Sequence, residues 1–372
     1  MPNIVLSGKC YLCMAHDGAR AIDLDASLKL LAAAKERPKF EHAATAASCF
    51  QYEPSPVMVA QGIAPLVLGR FQTEDTIETT LFDFGVASTI FTVPFTGTLD
   101  ELIELAALAI ADQPSRNLIE NRAREAAENL FQAIAPAVKQ SKLAKRYESY
   151  AIFVLDKPET AAADDSISSF VDNHDAKLAQ VLAGQKAPLA AQWVNAELND
   201  PIGFLAEDAF LISGSAAILF GPNADNALEV LELVNVQLLE LGILAERLNE
   251  QLGSLHRQLD DQDGVRALPG SIGRNLELVA WLRADAALQI SEVADALEVI
   301  GDYALTWVHE RASERRGCNE LLADIERNIH ALEAIQTALT NETARRSSHR
   351  YELIMILLEF IIVVLIMAEL LK

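Results

Sequence analysis

The stretch Tyr351 to Lys372, Y-E-L-I-M-I-L-L-E-F-I-I-V-V-L-I-M-A-E-L-L-K, constrains this chain more than any other. It is an almost unbroken apolar run, and no comparable run occurs earlier. At 1.5 Å per helical residue, about 20 residues match a hydrocarbon core roughly 30 Å thick. The expectation is one C-terminal transmembrane helix holding a large body to a bilayer. The alternative, a buried core helix of a soluble protein, is disfavoured by the position of the run at the C-terminus.

Three carboxylates interrupt the run: Glu352, Glu359 and Glu369. A charge near a bilayer centre costs at least about 2.5 kcal/mol, so a lone lipid-facing carboxylate is disfavoured. Glu352 and Glu359 are two helical turns apart and share a face. That face is expected to meet other copies of the helix, with Glu359 protonated or hydrogen-bonded at the contact. Arg345, Arg346 and Arg350 precede the segment and only Lys372 follows it. The excess of positive charge places the body on the cytoplasmic side. The N-terminus, M-P-N-I-V-L-S-G-K-C, carries no signal for secretion or organelle import. The expected setting is a bacterial inner membrane, crossed once.

The body is acidic: 53 Asp and Glu against 30 Lys and Arg leave a formal charge of −23. Such a surface disfavours nucleic acid and repels anionic lipid heads. The four cysteines, Cys10, Cys13, Cys49 and Cys318, fit a reducing compartment without a disulfide framework.

Strand and helix signals are mixed in the first part of the chain. Ile4–Ala15 is rich in β-formers and precedes a helix bearing Leu28, Leu31 and Ala32. Short β-patterned runs follow around Ser48–Tyr52, Ala64–Phe71, Thr76–Phe84 and Val86–Phe95. Helices are expected from about Leu99 to Asp112 and from Ser115 to Gln140, the second kinked or split by Pro136. Tyr150–Leu155 reads as a strand returning to the same sheet, and residues 209–221 as a hairpin or two short strands around Gly214.

Beyond residue 222 the pattern is helical. Leu231, Val234, Leu238, Leu241, Ala245, Leu248, Leu252, Leu255 and Leu259 keep a 3-4 spacing, a coiled-coil stripe. A second long helix is expected from about Leu276 to Glu314. A third starts near Asn319, striped by Leu322, Ile325, Ile329, Leu332, Ile335 and Leu339. No Gly or Pro separates that helix from the apolar tail. The fold class that emerges is α+β: a mixed N-terminal domain (1–156), a mainly helical connector with a short hairpin (157–222), a coiled-coil-like helical stalk (223–350) and a transmembrane anchor (351–372). Whether the stalk packs within one chain or between subunits stays open at this level.

Signals for chemistry are weak. Cys10 and Cys13 form a C-x-x-C, but on a strand positions three apart face opposite ways, and no second pair completes a zinc site. The His174–Asp175 pair reads as solvated surface. G-P-N-A-D-N at 221–226 looks like a helix start capped by Asn223 or Asp225 rather than a phosphate loop. No catalytic, cofactor or metal residue is expected, and no enzymatic role.

Several segments together resemble the required-for-meiotic-nuclear-division protein family of bacteria, fungi and mitochondria. These are K-C-Y-L-C-M-A with I-D-L-D-A-S-L-K-L-L, the strand L-F-D-F-G-V-A-S-T-I-F, and A-F-L-I-S-G-S-A-A-I-L-F. The most specific is the end, D-Y-A-L-T-W-V-H-E-R-A-S-E-R-R followed by S-S-H-R-Y-E-L-I-M-I-L-L-E-F. The chain departs from the family pattern in its intramembrane Glu spacing and in its Ala-rich stretch, roughly residues 156–200. The resemblance implies a membrane-anchored, self-associating protein, with Arg350, Glu352 and Glu359 at the anchor and the contact. The function expected is a homo-oligomeric scaffold whose partners are the lipid bilayer, its own copies and an unidentified protein. A pore ringed by Glu352 and Glu359, or a membrane-tethered enzyme using the N-terminal domain, is the alternative.

Overall fold

The computed structural model describes residues 4–33, 40–45, 54–158, 166–198, 201–205, 207–264 and 303–370, with single helical positions between 277 and 287. Side chains at 33, 40–45, 255–256, 258–264, 303, 339, 342–353 and 360–370 lie outside that description. The chain forms two compact units. The first comprises Met1–Ile243 and Val293–Glu320, the second Leu244–Glu292 and Leu321–Lys372.

An eight-stranded sheet organises the first unit. In chain order the elements are β1 (Val5–Asp17), β2 (Ala21–Ile22), α1 (Leu24–Ala33), β3 (Phe40–Thr45), β4 (Val57–Gly62), β5 (Val67–Leu68), β6 (Phe71–Gln72), β7 (Thr76–Leu81) and β8 (Val86–Thr98). Then follow α2 (Leu99–Ile110), α3 (Gln113–Ala133), β9 (Val138–Lys139), β10 (Tyr147–Leu155), α4 (Ile167–Asn173), α5 (Asp175–Ala183), α6 (Ala191–Glu197), β11 (Ala209–Ile212) and β12 (Ala216–Phe220). The sheet runs β11-β12-β10-β1-β8-β7-β4-β3. Among its described pairs only β10 and β12 are parallel. Parallel neighbours need a crossover, and α4, α5 and α6 supply it.

Local chemistry explains where the elements start and stop. Thr98 caps α2: its hydroxyl accepts from the Glu101 N–H, and the Glu101 carboxylate accepts from the Thr98 N–H at 2.6 Å. Asp112 caps α3 by accepting from the Ser115 N–H at 3.0 Å. Pro136 follows the end of α3 and sits in a short 3₁₀ turn, Ala135–Ala137, so the helix expected to reach Gln140 stops at Ala133. The hairpin around Gly214 forms, and it completes the sheet beside β10.

Strand alternation divides the core. Leu6, Cys10, Leu12 and Met14 of β1 point to one face, where they meet Leu102 and Leu105 of α2, Ala123 of α3 and Leu178 of α5. Ala15 points to the other face, against Phe82, Val86, and Val236 and Leu239 of α7 (Ala224–Gly264). Two further helices with described bounds follow, α8 (Tyr303–Arg316) and α9 (Cys318–Leu370).

Three expectations are corrected here. Within the first unit, Val230, Leu231, Leu233, Val234, Val236, Leu238, Leu239 and Leu241 of α7 are all buried. Those positions go round the helix, so α7 is a core helix there and not one edge of a coiled coil. In the second unit Leu244, Ala245 and Leu248 are buried, as are Ile325 and Leu332 of α9. The Asn328 side-chain amide of α9 donates to Asn249 Oδ1 of α7 at 3.1 Å, a pairing within one chain. The chain is a mixed α/β protein, and the α+β body with a coiled-coil stalk is replaced.

The second correction concerns the tail. Among the described residues no helix is long and apolar enough to cross a membrane. Tyr351–Leu370 is the last part of one 53-residue helix. On it the carboxylate of Glu359 is exposed, a group that a bilayer interior would charge heavily to accommodate. The transmembrane anchor is overturned by this finding. The third correction follows from it: single-pass inner-membrane placement, with the orientation drawn from Arg345, Arg346 and Arg350, loses its basis. The expected strand around Ser48–Tyr52 and the bulk of the helix from Leu276 lie outside the described residues.

Candidate functional site

A cavity of about 700 Å³ opens in the first unit at the carboxyl ends of the parallel pair β10 and β12. In α/β sheets such strand ends are where ligand crevices form. Val154 and Leu155 end β10, Asp156 and Lys157 follow them, and Gly221 and Pro222 follow β12. Opposite them stand Lys9 and Tyr11 of β1 and Thr96 of β8, while Ala224 and Asp225, the first residues of α7, close one wall.

The backbone geometry is particular to this place. Gly8 has φ +150°, and a Cβ there would collide with the Val154 carbonyl oxygen. Asp208 organises the turn into α7: its carboxylate accepts from the Asn223 side-chain amide at 2.9 Å and from the Leu205 N–H at 3.1 Å. Asn223 takes the N-cap position, its carbonyl accepting from the Ala227 N–H, but its side chain is committed to Asp208.

Charge around the cavity is mixed. Lys9 and Lys157 face Asp156, Glu207 and Asp225. Asp156 is held by the Ser7 hydroxyl at 2.7 Å, and Lys9 pairs with Glu74 at 3.7 Å. Burial pushes the Tyr11 phenol up, and the charges of Asp225, Glu74 and Glu78 push it further. The lining contains neither Cys nor His. Among the described residues no group of His, Cys, Asp or Glu has the arrangement of a metal site. The mixed charges and hydroxyls of the lining suit a small polar molecule.

On the α7 side of the sheet lies a buried polar cluster. Arg316, at the end of α8, has a side chain 4% exposed. It donates to Asn235 Oδ1 at 2.7 Å and to the Ser149 carbonyl at 3.2 Å, and its guanidinium lies 3.7 Å from the Glu148 carboxylate. Nearby, His309 Nε2 and Gln237 Oε1 are 2.7 Å apart, and Ser313 Oγ lies 3.4 Å from His309 Nδ1. Burial holds His309 near a pKa of about 4, so the ring is neutral and its Nε2–H donates to Gln237. His309, Ser313 and Arg316 all come from the segment W-V-H-E-R-A-S-E-R-R, which carries the family resemblance and no site motif of its own.

The three described cysteines are free thiols, all buried. Cys10 and Cys13 point to opposite faces of the sheet, and burial raises both thiols well above their ordinary range. Cys318 is pushed up to about 11. Cys49 lies outside the described residues. His174 is bonded to the Phe170 carbonyl at 2.9 Å and stacks on that ring, a local helix-end contact.

Of the residues expected at a membrane or oligomer contact, Glu359 is exposed on α9. Arg345, Arg346, Arg350 and Glu352 lie on the same helix, with side chains outside the described residues. None of the five lines the cavity. The cavity residues come from six separate stretches between Ser7 and Asp225, and the flag available in sequence was the glycine at 221, before the α7 start.

No curated protein and no solved structure matches the chain. The family model described as uncharacterized protein MJ0711, N-terminal domain, matches residues 7–226, from β1 to the first residues of α7. That span exceeds half of the 372 residues and contains every residue that lines the cavity, and the chain belongs to this family.

Proposed function

We propose that the protein is a homo-oligomeric structural protein, assembled through the C-terminal part of α9. The observation that carries this reading is the run Ile354–Leu358, five successive large apolar side chains that are 51–63% exposed. Contiguous apolar surface of this kind marks an interaction site. The resemblance to the required-for-meiotic-nuclear-division family, whose members look self-associating, supports the same reading. An additional protein partner fits the exposed acidic surface that a net charge of −23 creates.

The test is the mass in solution of the full chain beside Leu357→Glu. A discrete oligomer that the substitution dissociates supports the proposal. A monomer for both proteins sinks it.

A second reading is favoured by the cavity at the ends of β10 and β12: ligand binding, or catalysis on a bound ligand, by the first unit. A panel of small polar metabolites screened by thermal shift separates the two. Stabilisation that Gly8→Val abolishes supports the second reading, while no response to any compound counts against it.

A further inference from the structure

Helix α7 meets the sheet through an acidic seam. Asp225, Glu229 and Glu232 lie along its first turns, and Glu74 and Glu78 come from the strand side. Asp225 and Glu232 are seven residues apart, about 10 Å along the helix, so they share its sheet-facing side. Asp225, Glu74 and Glu78 all act on Tyr11 of β1, while Glu78 and Glu229 act on Glu232. One turn further on, Val236 and Leu239 dock in the apolar patch formed by Ala15, Phe82 and Val86. The seam is therefore the polar half of a helix–sheet contact whose other half is apolar.

Glu232 is half-buried as a residue, and this contact shuts in one of its carboxylate oxygens. Its Oε1 is sealed from solvent and makes no hydrogen bond. Facing it are Glu78 of β7, Glu229 of α7 and the thiol of Cys13 of β1. The hydroxyls of Ser88 and Thr80 favour its charged form, and burial opposes that form more strongly. Ionised, Glu232 would be a buried charge beside two like charges, which a folded interface relieves by separating them.

We propose that Glu232 is a pH-operated latch on the cavity wall: protonated, it lets the first turns of α7 seat on the sheet, and ionised, it releases them. The wall in question is Ala224 and Asp225 at the start of the same helix. The Glu232 carboxyl is raised from its ordinary 4.5 to about 7. A carboxyl raised in the seated state binds its proton more tightly there than in the released state. Seating is therefore favoured fully below pH 4.5, weakens as pH rises, and reaches its floor above about pH 7. Between pH 6 and pH 8 the released fraction grows about tenfold.

Hydrogen exchange of the full chain, corrected for the intrinsic pH dependence of exchange, reads this directly in peptides covering residues 224–236. In the wild type, protection there falls about tenfold from pH 6 to pH 8, and in Glu232→Gln it stays level. An equal fall in the variant, or no fall in the wild type, overturns the proposal. Glu78→Gln provides an independent check, because it keeps the titrating group. Removing a like charge makes Glu232 easier to ionise, so the midpoint moves to lower pH. A midpoint that does not move overturns the proposal as well.

Discussion

The guanidinium of Arg316 lies over the ring of Tyr150, its central carbon 4.3 Å from the ring centroid. The two residues belong to elements 166 positions apart in sequence, the end of α8 and the middle of β10. Tyr150 in turn directs its hydroxyl at the Ser213 and Ala216 carbonyls, 2.7 and 2.9 Å away, at the β11–β12 turn. A cation over a ring, donating also to Asn235, to the Ser149 carbonyl and to the Gly214 carbonyl, ties the end of α8 to three strands of the sheet.

Arg316→Ala should destabilise the first unit by about 3–5 kcal/mol, because it removes the buried cation and leaves Glu148 and Asn235 short of a partner. Arg316→Lys should recover only part of that loss, since an ammonium cannot fork between Asn235 and Ser149. Denaturant midpoints of the three proteins decide it. A Lys variant as stable as wild type would mean that charge alone matters.

Tyr150→Phe keeps the ring under Arg316 and removes only the hydroxyl. The two carbonyls at the β11–β12 turn then lose their shared donor, at a cost of about 1–3 kcal/mol. Amide exchange in β11 and β12 should speed up more than in β8, which checks that the loss is local.

Acid should destabilise the fold through His309 and His16. Burial lowers both from 6.5 to about 4, and the charge of Arg124 adds to it for His16. A base lowered in the folded state contributes stability that is fully present above 6.5 and is lost as pH falls through 4. Each ring accounts for about 3 kcal/mol over that window. His309→Gln should therefore flatten part of the acid limb measured by chemical unfolding from pH 7 to pH 4. An unchanged limb would remove His309 from the account.

Gly8→Val should damage the cavity locally. The new side chain meets the Val154 carbonyl, and φ +150° is unfavourable for any residue with a Cβ. Displacing the β1–β10 contact should cost about 1–3 kcal/mol, read from thermal unfolding.

Much of the local structure was legible. Val86–Phe95 and Tyr150–Leu155 announced themselves as strands through β-branched and aromatic residues, and both are central in the sheet. The split at Pro136 was also readable, because a missing N–H acts on its own helix. The α7 stripe misled for a physical reason. Counting every third and fourth residue from Leu231 finds a seam, but Val230, Leu233, Val236 and Leu239 are buried between those positions. A one-sided count does not register that the opposite side is also apolar. The tail misled similarly: mean apolarity over Tyr351–Lys372 outweighed Glu352, Glu359 and Glu369.

The cavity left almost no trace in sequence, since Lys9, Thr96, Lys157 and Asp225 meet only after β1, β8 and β10 are aligned and β12 returns parallel to β10. Arg316 could not be distinguished from Arg315 by pattern, yet one carries a guanidinium stacked on Tyr150 and the other donates to the Ala196 carbonyl. Strand alternation and the helix stop before Pro136 came from the sequence alone, because each depends on groups within about four residues of one another. Strand order, the burial of Glu232 and Arg316, and the cavity came only with the tertiary structure. They depend on which distant residues exclude water from one another, and that is set by packing across the whole sheet.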